Sequence, residues 1–259
     1  LFQPAEETGK GAYEVLHDPQ FKDLNPDYIF ALHNLPGEPL NSIITVTGSF
    51  SSTVQSLAIY LTGKQSHASE PEKGINPAAA MAEIVSRAAE MNVTDPGDDS
   101  FALLTPVHIK MGSIAYGISP GEGELHYTMR TASEEVMKQL KDRLIDIVSR
   151  VCKEYKLEFS TDWFDHFPAT VNNDECNKMI IRAVKENGTE LIQKPHAFKF
   201  GEDFGWFSQS GKAAMFGLGA GLNSSALHHA DYDFPDEIIE TGINMFSRII
   251  RQILDVSDE

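Results

Sequence analysis

Two adjacent carboxylates near the start of the chain, Glu6 and Glu7, are the first residues that could carry chemistry. They follow Leu1-Phe2-Gln3, which we predict to be the end of a strand entering a turn at Pro4. Because successive side chains of such a segment point in different directions, the two carboxylates would take different roles. One could bind a metal ion while the other takes a proton from an attacking water. Taken alone, such a pair is more often a solvated surface or the first turn of a helix.

Histidines in two other places could act with these carboxylates. His33 ends a short apolar run, residues 28–33, which suits a strand buried on both faces, and ligands usually bind at the ends of such strands. His228 and His229 follow a loop rich in glycine and serine and precede the final helix. Alone, His33 is more often a satisfied core histidine, and the second pair is equally typical of a polar loop.

The middle of the chain offers one further histidine and one guanidinium. His67 follows a strand end in a loop of small residues, which leaves it accessible. Arg130 ends an alternating strand on the same face as His126 and Thr128, opposite the apolar residues. Before any wider comparison, an exposed salt bridge is the simpler interpretation of Arg130.

The elements that must position these residues fall into two groups. From Gln55 to about Asp165 the periodicity predicts the order β-α-β-β-α-β, a small sheet with two helices on one face. A helix capped by Asn76 and a helix opened by Ser133 supply the two apolar stripes. The flanking segments, with a buried strand before and helices near 175–187 and 235–256, are predicted to form one domain.

Composition narrows the function classes. The 259 residues include 38 acidic and 21 basic side chains, a formal net charge of -17 that disfavours nucleic acid and anionic lipid as partners. An apolar run long enough to span a bilayer is absent from the sequence, so we expect no membrane association. Cys152 and Cys176 form no motif, which favours a reducing, cytoplasmic location.

Five motifs occur in order along the chain: Leu1-Phe2-Gln3-Pro4-Ala5-Glu6-Glu7, Ala31-Leu32-His33, Gly63-Lys64-Gln65-Ser66-His67, Gly201-Glu202-Asp203-Phe204 and Leu227-His228. On these motifs the whole chain resembles the aminoacylase and carboxypeptidase family of dinuclear metallopeptidases. It is similar to the amidohydrolase branch, which includes hippurate hydrolases and indole-acetyl-amino-acid hydrolases. The resemblance implies an α/β fold in which a ferredoxin-like βαββαβ lid and dimerisation domain, residues 54–165, is inserted into a partial catalytic domain, residues 1–53 and 166–259.

The resemblance also implies the role of each residue that matches a motif. Glu6 falls on the family's general base, and Glu7, His33 and His228 fall on its metal ligands. Two divalent ions are implied, zinc or manganese, while cobalt and nickel also suit mixed histidine and carboxylate ligation. The remaining ligands of the family, a Cys-Gly-His-Asp motif, lie upstream of the Glu6 motif. We therefore expect an N-terminal part to be missing and this chain by itself to be inactive.

The lid residues are implied to act between subunits. His67 resembles a lid histidine that reaches the active site of the partner subunit and helps to polarise the scissile carbonyl, which implies a homodimer through the lid. Arg130 falls where the lid offers a cation to the substrate. The branch commonly has Asn-Val-Ile-Pro where this chain has Gly117-Ile118-Ser119-Pro120, so a contact to the substrate carboxylate is lost.

The resemblance implies metal-dependent hydrolysis of an N-acyl amino acid or a related small amide. The enzymatic alternative is a dipeptidase or carboxypeptidase of the same family, since dipeptides differ from N-acyl amino acids mainly at the free amine. The alternative from another class is a non-catalytic dimerisation or binding module built on this fold. The identity of the upstream metal ligands would distinguish the enzymes from the module, because a module tolerates a residue that cannot bind metal at those positions.

Overall fold

The computed structural model describes residue 1 and residues 3–255. Its helices are α1 (Gly11–His17), α2 (Pro19–Leu24), α3 (Ala78–Ala89), α4 (Glu134–Tyr155), α5 (Asp174–Asn187), α6 (Gly205–Ser210) and α7 (Ile239–Leu254). Its strands are β1 (Ile29–Leu35), β2 (Ile43–Val46), β3 (Thr53–Thr62), β4 (Ser66–His67), β5 (Ala102–Met111), β6 (Ile118–Ser119), β7 (Glu122–Thr131), β8 (Glu158–Phe167), β9 (Leu191–Lys194) and β10 (Ala213–Gly219). Phe2 and Val256, at the ends of a predicted strand and a predicted helix, lie outside the described residues.

The first sheet is a mixed sheet covered by helices on both faces. Its strand order is β1-β10-β2-β9, with β1 parallel to β10, β2 antiparallel to β10 and β9 parallel to β2. One core joins β10 to the apolar stripes of α5 and α7, and a second core joins the sheet to α1 and α6. Strands and helices from before and after the middle of the chain therefore share one α/β layer structure.

The prediction that the strand ending near His33 is buried on both faces is wrong. In β1 only Leu35 is buried, and Ile29 to Asn34 all keep partial exposure. The physical reason is position: β1 lies at the edge of the described sheet, whereas its neighbour β10 is buried at every residue. The strand itself exists, and it carries His33 two residues before its end.

The second sheet is antiparallel, with strand order β5-β7-β3-β8. Helices α3 and α4 both pack on one face, where Leu57, Ile84, Leu125 and Leu144 are fully buried. Apart from the two-residue strands β4 and β6, which pair with each other in a separate sheet, the order along the chain is β-α-β-β-α-β. The other sheet face carries polar side chains such as Thr128 and Arg130 toward the first sheet.

Local signals place the starts of α3 and α4. The Ser133 side chain accepts a hydrogen bond from the N–H of Val136, so the predicted cap is present. Asn76 Oδ1 accepts from the N–H of Ala78 at 2.8 Å. The helix itself begins at Ala78, one residue later than the predicted start at Pro77.

The strand predicted at the start of the chain is also wrong. Leu1 and Gln3 lie outside any strand, because Gln3 is held by a side-chain contact to Asp203 instead.

Cys152 and Cys176 are buried free thiols. Within residues 1 and 3–255, none of the helices combines the length and apolar character needed to cross a bilayer.

Candidate active-site cleft

A cavity of about 620 Å³ lies between the two sheets. Five of the six residues singled out in the sequence line it: Glu6, Glu7, His33, Arg130 and His228. The first sheet and its loops supply the carboxylates and histidines, and the polar face of the second sheet supplies Arg130. Residues separated by more than 200 positions in the chain therefore meet at one place.

Glu6 and Glu7 lie in a short 3₁₀ turn, Glu6–Thr8, and the predicted strand-like geometry at this point is wrong. The turn is entered through Ala5, whose φ of 59° is in the left-handed region. It is closed by Gly9, whose N–H donates to the carbonyl of Glu6 at 2.8 Å. Both carboxylates nevertheless line the cavity, as metal-assisted hydrolysis would need.

His33 projects from β1 in a fixed orientation. Its Nδ1–H donates to the carbonyl of Asn34 at 2.6 Å, which leaves Nε2 as the free, unprotonated nitrogen of a neutral ring. Burial lowers the pKa of His33, opposed by smaller effects that include the charge of Glu7. Nε2 lies 3.3 Å from Oε1 of Glu202. A neutral imidazole with a backbone-fixed tautomer is the form that binds divalent metals.

The cavity holds more carboxylates than the protein neutralises. Glu202 is only 6% exposed, and burial, followed by the charges of Glu6, Asp203 and Glu7, raises its pKa to about 9. Burial, followed by the same neighbouring charges of Asp203 and Glu7, raises the pKa of Glu6. Carboxylates that cannot all ionise together are stabilised by a bound cation.

His228 lies in the loop before α7 with φ of 64°, and it lines the same cavity. Its neighbour His229 is exposed and lies 3.4 Å from a carboxylate oxygen of Asp231, outside the cavity lining. The two adjacent histidines thus differ, and His228 is the one that faces the carboxylates. Burial is the main cause of the lowered pKa of His33, and the charge of His228 adds a smaller lowering effect.

Arg130 lines the cavity, whereas His67 does not. Arg130 Nη1 donates to the backbone carbonyl of Lys199 at 2.9 Å, a contact that joins the second sheet to the first across the cavity. His67 is exposed at β4 and lies outside the cavity lining. Its Nδ1 accepts from the backbone N–H of Ser69 at 3.2 Å, so the proton resides on Nε2, which makes that nitrogen a hydrogen-bond donor.

An aromatic wall is the part of the cavity that sequence reasoning missed. Phe198 and Phe200 are stacked with ring centroids 5.0 Å apart, and Phe200 lies 5.6 Å from the ring of His33. Phe167 also lines the cavity. The alternation Phe198-Lys199-Phe200 directly before the Gly201-Glu202 motif was the available signal. It predicts two rings on one side of an extended segment.

The donor set fits a metal site in chemistry and in location. Glu7, His33 and His228 offer one carboxylate and two imidazoles, ligands that suit zinc and similar ions. Over the part of the chain that the structure describes, however, three or more such side chains do not converge closely enough to enclose an ion. These residues fit one side of a metal site.

Several known proteins resemble this chain in sequence. A sequence profile described as "Peptidase family M20/M25/M40" matches residues 1–252. An N-acetyldiaminopimelate deacetylase of Bacillus subtilis (strain 168) is 31% identical over 249 residues, covering 95% of this chain and 66% of the relative. The relative of the same description from Bacillus velezensis is 28% identical, with 95% and 65% covered. The chain spans about 65% of the length of these relatives.

Solved structures share the fold. A Bacillus subtilis protein described as a dinuclear metal binding peptidase from the M20 family superimposes with a TM-score of 0.80 at 21% identity, covering 99% of this chain and 65% of that one. A putative aminohydrolase from methicillin-resistant Staphylococcus aureus gives a TM-score of 0.82 at 16% identity, covering 99% and 66%. At these identities the likeness concerns the fold alone.

Proposed function

The chain belongs to peptidase family M20/M25/M40, and we propose that the intact protein hydrolyses the amide bond of N-acyl amino acids or related small amides with the help of metal ions. This proposal rests on the observation that one cavity is lined by Glu6, Glu7, His33, His228 and Arg130 together. The description of relatives as N-acetyldiaminopimelate deacetylases supports it, since such an enzyme cleaves the amide of an acylated amino acid.

Two divalent ions would be held partly by Glu7, His33 and His228. Support comes from the neutral His33 ring, from the excess of buried carboxylates, and from the fold shared with a protein described as dinuclear. When bound, such ions polarise the substrate carbonyl and lower the pKa of the attacking water. Zinc and manganese are the first candidates, followed by cobalt and nickel.

Glu6 would be the general base. Its raised pKa makes it a better proton acceptor than an ordinary surface glutamate, and it lies in the same turn as Glu7. Glu6 would take the proton of the attacking water and then deliver it to the nitrogen of the leaving amine, so that the carboxylate is regenerated at each turnover.

The second sheet would act as a lid. We assign residues 54–165 to this inserted, ferredoxin-like domain and residues 1–53 and 166–259 to the catalytic domain. Arg130 would bind an anionic or carbonyl group of the substrate. His67 lies outside the cavity of its own chain, so we propose a homodimer paired through the lids in which the partner subunit supplies the Nε2–H of this histidine to the oxyanion.

The aromatic wall suggests that the substrate carries an apolar group. Phe198 and Phe200 would contact that group while Arg130, on the opposite sheet, contacts a polar one. The buried free thiols Cys152 and Cys176 persist most readily in a reducing compartment, which favours the cytoplasm.

Hydrolysis by the intact protein tests this function. We expect benzoyl and acetyl amino acids to be hydrolysed, activity to disappear when a chelator removes the metal, and activity to return when zinc or manganese is added back. Faster hydrolysis of dipeptides would favour the dipeptidase or carboxypeptidase alternative. Metal-free protein that dimerises and hydrolyses neither class would favour the binding module.

A further inference from the structure

The Gly201-Glu202-Asp203-Phe204 motif contains a buried carboxylate that the proposed reaction does not use. Asp203 is 2% exposed and lies at the start of the segment that leads into α6. Its oxygens accept from Gln3 Nε2 at 2.7 and 2.6 Å, and Oδ2 also accepts from the N–H of Ala12 at 2.8 Å. A buried charge is stable only when it is hydrogen-bonded in this way, so these contacts are held firmly.

The partners of Asp203 lie on either side of the turn that carries Glu6 and Glu7. Gln3 precedes the turn, and Ala12 follows it at the start of α1. A third contact comes from α6, where Trp206 Nε1–H donates to the carbonyl of Gly9 at 3.1 Å. Residues 203–206 therefore contact the chain on both sides of the turn, at Gln3 before it and at Gly9 and Ala12 after it.

The chain at Gly11 passes close to Pro4 and to Asp203. A Cβ atom at Gly11 would lie 1.9 Å from the carbonyl oxygen of Pro4 and 3.1 Å from Oδ2 of Asp203, so only glycine fits there. The turn is also entered through Ala5 in the left-handed region, a conformation that persists only when surrounding contacts impose it. Few hydrogen bonds within the turn itself could impose it, since the turn is three residues long.

We propose that Asp203, with Trp206, is a positioning residue that fixes the turn bearing Glu6 and Glu7, so that the base and the metal-binding carboxylate face the cavity. The assignment of roles to Glu6 and Glu7 rests on the proposed function, but the clamp itself rests on the contacts of Gln3, Gly9 and Ala12. The backbone of Asp203 hydrogen-bonds to the Glu6 carboxylate. The Asp203 side chain touches none of the reacting groups, and it acts on the turn through Gln3 and the N–H of Ala12.

The test places a second carboxylate against Asp203. In Gln3→Glu the donor that bridges both oxygens of Asp203 becomes an acceptor, so repulsion should release the turn. Adding Asp203→Asn restores a donor and acceptor pair, because the new amide could accept from the N–H of Ala12 and donate to the carboxylate introduced at position 3. Trp206→Phe, which removes only the indole donor, is a milder variant in case Gln3→Glu folds poorly.

Thr241→Val is a matched control. Thr241 Oγ1 donates to Asn41 Oδ1 at 2.6 Å, a partly buried contact that also joins residues 200 positions apart, but it lies outside the cavity lining. All variants are made in the intact protein. The Gln3 and Asp203 variants and the control also carry Trp163→Phe, which leaves Trp206 as the one indole among the 259 residues. The difference in emission from the matching Trp206→Phe protein therefore reports on the turn.

For Gln3→Glu we expect a red-shifted Trp206 emission in metal-free protein, reduced metal content, and a kcat lower by about a hundredfold with little change in KM, as small misplacements of catalytic groups produce. The double variant should recover all three, and Thr241→Val should change only the thermal midpoint. Unchanged emission and metal content in Gln3→Glu, or no recovery in the double variant, would overturn the clamp. Absence of hydrolysis by the parent protein would instead refute the proposed function, while emission and metal content would still decide the clamp.

Discussion

At the scale of single residues, the cavity is defined by an imbalance of charge. Burial and mutual repulsion raise the pKa of both Glu6 and Glu202, while burial lowers the pKa of His33. Each shift disfavours the charged form, and the carboxylate shifts are the ones that a bound cation reverses. Ions at the proposed metal site would therefore relieve the repulsion among these carboxylates.

If Glu7, His33 and His228 are metal ligands, their variants should lose metal before they lose activity. Glu7→Ala, His33→Ala and His228→Ala in the intact protein should each lower metal content before they lower the activity of the remaining loaded enzyme, because each removes one ligand. Metal analysis after dialysis measures this. His229→Ala, at the exposed neighbour, is the matched control and should keep its metal. Full metal occupancy in all three ligand variants would remove the basis of the assignment.

The aromatic wall predicts substrate preference. Phe200→Ala should raise KM for benzoyl amino acids by roughly tenfold, the size expected when one aromatic contact of about 1–2 kcal/mol is lost. Acetyl amino acids with small side chains serve as the internal control and should change much less. Steady-state kinetics on both substrates measures the ratio. Equal losses for both would mean that Phe200 supports the fold of the cavity without contacting the variable group.

At the scale of elements, β8 of the second sheet contacts α6 of the first layer structure. The ring of His166, in β8, packs edge-on against Trp206 at 5.5 Å. Burial lowers the pKa of His166, with the charge of Glu134 as the main opposing effect. The folded protein thus keeps this ring neutral at pH values where an unfolded chain already binds a proton.

This shift predicts the pH dependence of stability. Below the ordinary histidine pKa of 6.5 the unfolded chain takes up a proton that the folded ring resists, so stability falls as the pH falls through that value. His166→Gln should remove part of this fall, measured as the change in thermal midpoint between neutral and mildly acidic pH. His17→Gln, at an exposed site, is the matched control for the loss of an imidazole. An unchanged slope in His166→Gln would contradict the account.

The second sheet could be predicted from sequence because its signals are local. Alternation in β3 and β7, and helical stripes in α3 and α4, are set by neighbours within each element. The first sheet was harder. Alanine and glycine fill four of the seven positions of β10, so its composition lacks the usual strand residues. Gly217 has no room for a Cβ, which would lie 2.2 Å from the Leu35 side chain.

The site was predictable in its residue types and not in its geometry. The motifs identified Glu6, Glu7, His33 and His228, and all four line one cavity. The 3₁₀ turn at Glu6 could not be predicted, because Asp203, nearly 200 residues later, holds it. The roles of that aspartate and of the aromatic wall require knowledge of which distant segments meet.

At the scale of the whole molecule, the proposed lid, residues 54–165, presents accessible residues outside the cavity of its own chain. His67 is exposed and does not line that cavity. In the same domain, Ile109, Ile114 and Tyr116 are exposed apolar residues, 54%, 94% and 96% accessible, that a partner could cover. The proposed dimer accounts for both features.

Mixed dimers test whether His67 acts in the partner subunit. Glu6→Gln and His67→Ala should each be nearly inactive as pure dimers. After the two are unfolded and refolded together, the mixed dimer has one site with an intact Glu6 and an intact partner His67, so about a quarter of all sites should recover. Hydrolysis assays before and after mixing measure the gain. Failure to recover, with mixed dimers demonstrated by mass, would place His67 in its own subunit's reaction or outside it.

The most direct test of the account is the metal content and turnover of Glu6→Gln in the intact protein. The amide keeps the shape of the side chain and loses the proton acceptor, so we predict metal content equal to the parent protein and turnover lower by a factor of about 10²–10⁴, the range for loss of a general base. Metal loss in Glu6→Gln would identify Glu6 as a ligand. Turnover close to that of the parent protein would contradict the proposed mechanism.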